Sequence, residues 1–237
     1  MSTSMDKLVL LLRHTESRNS IYKVFIGLLK IITDKLTRQL AKGVRDKSLQ
    51  ESQLHLLELR LQRYHNLTTS IHNARSLIRM GEFIPDMRKL NSLLELFRAQ
   101  GLVHTERKKF IEFVQVLLHA LFIISDNLLF LIKNYIISNV STAQQQQLTA
   151  LSARTLYYHY VVSFAFFLVE LRDGIRRWEY DHPAAVRASI NATLALIRDG
   201  ADAIAVAPSL RLRGYTQGIL WLISGTTHNL LLWRQFK

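Results

Sequence analysis

The chain of 237 residues has no cysteine, which excludes disulfide scaffolds, thiolate metal sites and cysteine catalysis. Proline and glycine are scarce, at three and nine residues. A turn-rich β fold spends such residues at every hairpin, so that architecture is excluded as well. Acidic residues are the scarcer charge: 18 Asp+Glu face 31 Lys+Arg, a formal net charge of +13. At 49% hydrophobic the chain is too apolar to be a disordered basic tail. A secretory signal is not expected either, because Leu8 to Leu12 is a short apolar stretch with no small-residue cleavage site after it. Three surroundings suit a basic, apolar, cysteine-free chain: nucleic acid, an anionic membrane surface, or a bilayer that it enters.

Helical periodicity dominates what is there. Residues 17–42 place Ile21, Phe25, Leu28, Ile32, Leu36 and Leu40 at three- and four-residue steps, with Gly43 as a stop. Residues 51–80 repeat the pattern with Leu54, Leu57, Leu61, Tyr64, Leu67, Ile71, Ala74 and Ile78. Glu58, Gln62, His65, Thr69, His72 and Asn73 fall on the opposite face, and Arg60, Arg63, Arg75 and Arg79 flank the stripe. Such a helix suits a membrane surface, where the stripe enters the acyl boundary and the cations meet anionic headgroups. The same spacing is also that of a bundle or coiled-coil face. Pro85 suits the first turn of a further helix ending at Gly101.

Beyond residue 105 the long apolar runs begin. Candidate spans are 113–132, 156–171 and 215–233, separated by a polar loop at 141–149 with four consecutive glutamines. The last run is uncharged, and Tyr215, Trp233 and Phe236 suit the two interfaces while Arg213, Arg234 and Lys237 snorkel. Asp126 within the first run is costly in a bilayer. It lies seven residues from Lys133 on one helix face, either satisfied inside a bundle or lining a polar path. The expected organisation is all-α: a soluble basic amphipathic-helix region over 1–105, which the resemblance described below places in the cytosol, then a membrane-associated helical bundle over 106–237 with one to three transmembrane helices.

Chemistry-bearing motifs are few. Leu8-Val9-Leu10-Leu11-Leu12-Arg13-His14-Thr15-Glu16 resembles the opening of the histidine phosphatase superfamily, in which a histidine takes a phosphoryl group. Thr15 replaces the glycine of the turn there, His228 would have to be the second histidine, and the chain between them reads as helix. The alternative is a short amphipathic helix over 6–14. The nine histidines lack ligand spacing, so no catalytic residue, metal or cofactor is expected. Aromatic residues do not interleave with a basic groove, so no nucleic-acid partner is expected.

Four segments, in order, resemble the peroxisomal biogenesis factor 11 family. Thr15 to Lys23, with Arg18, is similar to its N-terminal stretch, with Ser17 and Ser20 replacing a glycine and a lysine. Ala74 to Phe83 matches at Arg75, Arg79, Gly81 and Phe83, while Glu82 reverses a charge. Ser125 to Lys133 presents Asp126, Asn127 and Lys133 around an apolar run, and the C-terminal stretch offers Gly218 and Trp233. The resemblance implies a non-enzymatic protein of the peroxisomal membrane, or the glycosomal membrane in a kinetoplastid, with termini facing the cytosol. It implies membrane elongation and organelle proliferation and division through the surface helix, self-association into a homo-oligomer, and recruitment of fission machinery. A metabolite pore in the same membrane is the alternative function.

Overall fold

The computed structural model describes residues 15–47, 49–101, 106–179 and 182–235. Seven α-helices, α1 Thr15–Arg45, α2 Glu51–Ile78, α3 Phe83–Gln100, α4 Arg107–Lys133, α5 Thr142–Arg176, α6 His182–Val206 and α7 Gly214–Gln235, hold most of the described residues, with one 3₁₀ turn, Arg177–Glu179. The all-α expectation holds. No strand occurs among the described residues, so the strand-and-helix alternation of a histidine phosphatase is not found there. His14 and residues 6–14 lie outside the described residues, as do Phe236 and Lys237.

Boundaries differ from the sequence pattern in two informative places. Gly43 does not stop α1, which continues to Arg45. Its Cβ position is filled by Leu49, so glycine is there for space. Residues 141–149 are not a loop. Ser141 caps α5, its Oγ accepting from the Gln144 backbone N–H while the Gln144 side chain accepts from the Ser141 backbone N–H. This reciprocal box, followed by glutamines of good helix propensity, starts a helix where polarity alone suggests a linker.

The chain divides into two compact units, and the division is not at residue 105. One comprises the described residues of Met1–Arg75 and Arg211–Lys237, the other Ser76–Leu210. The C-terminal run therefore belongs with the N-terminal helices rather than with the other apolar runs. In the first unit α1 and α7 form an antiparallel pair: Ser20 Oγ donates to the Gly225 carbonyl at 2.8 Å, and Gly214 lies against Asp34. Small residues make the close approach possible. A Cβ on Gly218 would lie 2.6 Å from the Gly27 carbonyl oxygen, and one on Gly225 2.7 Å from Val24 Cγ2.

In the second unit α3, α4, α5 and α6 pack each on the next. Leu90 of α3 is buried with Val116 and Ala120 of α4, and Phe97 meets Phe113 edge to face at 5.5 Å. Antiparallel packing of α4 on α5 brings Gln115 to Ser163. Antiparallel packing of α5 on α6 brings Ser163 to Asp199 and the Phe164 ring to 3.3 Å from the Cβ position of Gly200.

Candidate membrane interface

Among the described residues, one helix, α4, is long and apolar enough to cross a membrane. It contains the expected span 113–132. The expected spans 156–171 and 215–233 lie in α5 and α7, which do not meet that criterion. Absence of charge in Tyr215–Trp233 is not the same as apolarity, since Gln217, His228 and Asn229 dilute it.

The second unit distributes its residues unusually. Along α6 the buried positions are alanines and acids: Ala185, Ala192, Ala195, Asp199, Ala201, Asp202 and Ala205. The large residues Ile190, Ile197 and Ile204, each seven apart, face outward at 40, 47 and 47% exposure. On α5 the buried positions are Ser152, Thr155, Ser163 and Gly174, while Leu151, Tyr158, Val161, Leu168 and Ile175 are exposed. Phe110, Leu117, Leu121 and Leu128 make the same outward stripe on α4, covering about 27 Å at 1.5 Å per residue. A helix surface in water normally shows the reverse. Small residues at helix contacts with large apolar ones outside is the pattern of helices packed in lipid.

Several polar groups inside this unit pair with one another, while Asn127 Oδ1 and Ser189 Oγ are buried without a hydrogen bond. Ser163 Oγ donates to Asp199 Oδ2 at 2.5 Å and accepts from Gln115 Nε2 at 2.9 Å. Arg198 Nε donates to Asp199 Oδ1 at 2.5 Å, and its guanidinium lies over the Phe167 ring. His159 Nδ1 meets the Gln115 carbonyl at 3.1 Å, and His119 Nδ1 meets Asp86 Oδ2 at 2.7 Å. Sequence reasoning missed this cluster. Its only signal is Asp199 and Asp202 three residues apart in an alanine-rich helix, a spacing that puts both on one face.

The family-motif residues are placed as follows. Asp126 finds its ion-pair partner outside its own helix. It forms an ion pair with Arg79, Nη2 to Oδ2 at 2.8 Å, with side chains 21 and 11% exposed, and Arg79 also stacks over the Phe122 ring at 5.1 Å. Lys133 is exposed at the end of α4, and Asn127 is buried. Gly81 has φ +87, in the left-handed region, and makes the turn that leads into Phe83 and α3. Arg18 is exposed on α1, Gly218 is buried in the α1–α7 seam, and Trp233 is half-buried on α7. Beside that seam Lys30 Nζ donates to Gln217 Oε1 at 2.5 Å and lies 4.6 Å from the Trp221 ring centre, and burial lowers its pKa.

The stripe of α2 turns partly inward. Leu54, Leu57, Leu61, Tyr64, Ile71, Ala74 and Ile78 are half-buried, and Leu67 is exposed. No residue of α2 is fully buried, and no Cα of it comes within 8 Å of a Cα of α1 or α7. Its contacts with them include the His72 ring 6.1 Å from Trp221 and Arg75 Nε donating to Asn19 Oδ1 at 2.8 Å, and Gln53, Leu56 and Leu57 line a cleft with Gln39 and Lys42 of α1. Of the four flanking arginines, Arg60 and Arg63 are exposed, whereas Arg75 and Arg79 are engaged within the protein.

No family profile matches the chain, and no curated protein and no solved structure matches it.

Proposed function

We propose that the chain is a non-enzymatic membrane-shaping protein of the peroxisomal or glycosomal membrane, which elongates that membrane and promotes organelle proliferation and division. The observation that carries the membrane reading is the outward apolar, inward small-and-polar arrangement of α5 and α6, beside the outward apolar stripe of the long apolar helix α4. About 30 Å of hydrocarbon matches the stripe on α4. Ionisable groups in such surroundings face the bundle interior and pair there, as Arg198 with Asp199 and Arg79 with Asp126 do.

The remodelling role rests on α2 and on the family resemblance. A helix with no fully buried residue and no close backbone partner in its unit is a readily released element. Once released, the Leu54–Ile78 stripe is available to wedge into one leaflet. Carbonate extraction of a tagged full-length copy is expected to leave the protein in the membrane fraction, with the organelles elongated on overexpression. Full release into the supernatant would remove the reading. Pinning α2 tests the wedge separately. Cysteines at His72 and Trp221, joined by a short bis-maleimide because the Cα separation exceeds a disulfide's reach, should abolish elongation while membrane retention persists.

The buried polar cluster between α4, α5 and α6 favours a second reading, a metabolite pore. Conductance of the reconstituted protein that changes with Asp199→Asn would support it.

A further inference from the structure

Beyond Asp34, α1 leaves its partner. The face that packs on α7 runs through Ser20, Val24, Gly27, Ile31 and Asp34, and Gly214, the first residue of α7, stands opposite Asp34. The same three- and four-residue steps then continue on α1 as Arg38, Lys42 and Arg45, with Lys35 beside them, all exposed. Residues 34–47 hold five cations against two acids. The acids, Asp34 and Asp46, pair with Arg38 at 2.7 Å and Arg45 at 3.0 Å, which leaves the stripe basic. Two more exposed cations, Arg211 and Arg213, lie in the strand of chain that leads into Gly214 at the same end. One turn earlier α1 exposes Phe25, Leu28 and Ile32. An exposed apolar turn followed by a cationic one along a single helix axis is a hydrocarbon-to-headgroup gradient.

We infer that this exposed basic face of α1, which α7 does not reach and whose Lys42 borders a cleft with α2, docks together with Arg211 and Arg213 on anionic phospholipid headgroups. The inference rests on the membrane reading above and names the lipid class. Charge complementarity and the adjoining apolar turn commit it to a bilayer rather than to an acidic protein or nucleic acid. Phosphate-bearing headgroups meet Arg38 and Arg45 through their guanidinium forks, and Lys35 and Lys42 act as point charges.

The natural absence of cysteine makes the test clean. Two single-cysteine full-length proteins, Gln39→Cys beside the basic stripe and Leu121→Cys on the outward stripe of α4, carry a spin label in reconstituted vesicles. The vesicles hold either neutral phosphatidylcholine alone or about one part in three phosphatidylserine. Collision with oxygen and with a water-soluble nickel complex reads depth. The Leu121 label should read acyl depth in both lipids. The Gln39 label should read headgroup depth only with phosphatidylserine. It should return to water when salt is raised to about 1 M. It should also return in the Lys35→Gln/Arg38→Gln/Lys42→Gln/Arg45→Gln protein, whose unchanged helical circular dichroism excludes misfolding. Accessibility of the Gln39 label to nickel should change about tenfold between the two lipids. Equal Gln39 accessibility in the two lipids, with Leu121 at acyl depth, overturns this inference and spares the membrane reading. A water-exposed Leu121 label overturns the membrane reading itself. Binding of a DNA duplex that competes phosphatidylserine vesicles away from the stripe assigns the face to nucleic acid and also overturns the inference.

Discussion

Arg79 and Asp126 are individually awkward residues, one just past the end of an amphipathic helix and one inside an apolar one. Together they form a largely buried charge pair at 2.8 Å. Removing one partner leaves a charge without its counter-ion, so the pair is expected to show strong non-additivity. Arg79→Met and Asp126→Leu should each destabilise by about 1–3 kcal/mol, and the double variant should recover most of that loss. Chemical denaturation in detergent, run as a double-mutant cycle, checks this; additive losses would mean that the two side chains do not couple. Each residue was visible in the sequence, and Asp126 was expected to be either satisfied or part of a path with Lys133. The partner could not be read off, because 47 residues separate Arg79 from Asp126 and nothing in helical periodicity reports which helix faces which.

At the scale of elements, the α1–α7 seam depends on the absence of side chains. Gly218→Ala places a methyl 2.6 Å from the Gly27 carbonyl oxygen and 2.8 Å from Ile31 Cγ1. Backbone cannot move aside as a flexible side chain does, so the helices must separate. The expected loss is about 1–3 kcal/mol. Gly101→Ala is the contrasting case. It meets nothing within 4 Å but carries φ +74 with ψ 146, a backbone region open essentially to glycine, so its cost of about 1–3 kcal/mol is conformational and leaves the seam intact. Thermal unfolding gives both losses, and cysteine cross-linking between α1 and α7 should weaken only in the first variant. The helices themselves were legible from the three- and four-residue periodicity, including α2 and α3 to within a few residues. The pairing of α1 with α7 was not legible. A glycine-bearing helix of low polarity reads as a span, and only the opposing Gly27 and Ser20 reveal it as half of a seam.

The whole molecule raises the question of what surrounds it. If Ile190, Ile197 and Ile204 faced water, replacing them with serine would be close to neutral, within about 0.5 kcal/mol each, and would improve solubility. Facing lipid, Ile190→Asp/Ile197→Asp/Ile204→Asp should convert the protein from carbonate-resistant to carbonate-extractable, because each carboxylate near the bilayer centre costs about 2.5–3.5 kcal/mol. Expression of the triple variant and fractionation of the membranes decides between these outcomes. Composition poses the question at this scale, with its pairing of basic charge and apolar content. It could not say that the apolar side chains of α5 and α6 turn outward while alanines, serines and acids turn in, because hydrophobicity counts residues without assigning faces.

The α1–α7 pairing also bears on synthesis. Ser20 and Gly225, which share a hydrogen bond, are 205 residues apart in the chain. During translation α1 leaves the ribosome long before the helix that covers its glycine-lined face exists. Throughout that interval the nascent chain displays an incomplete hairpin, a substrate for holdase chaperones and for quality-control proteases. A message truncated anywhere before Gly214 would leave α1 permanently bare. Such fragments should turn over rapidly in the cell, and co-expression of a peptide carrying α7 should prolong their lifetime.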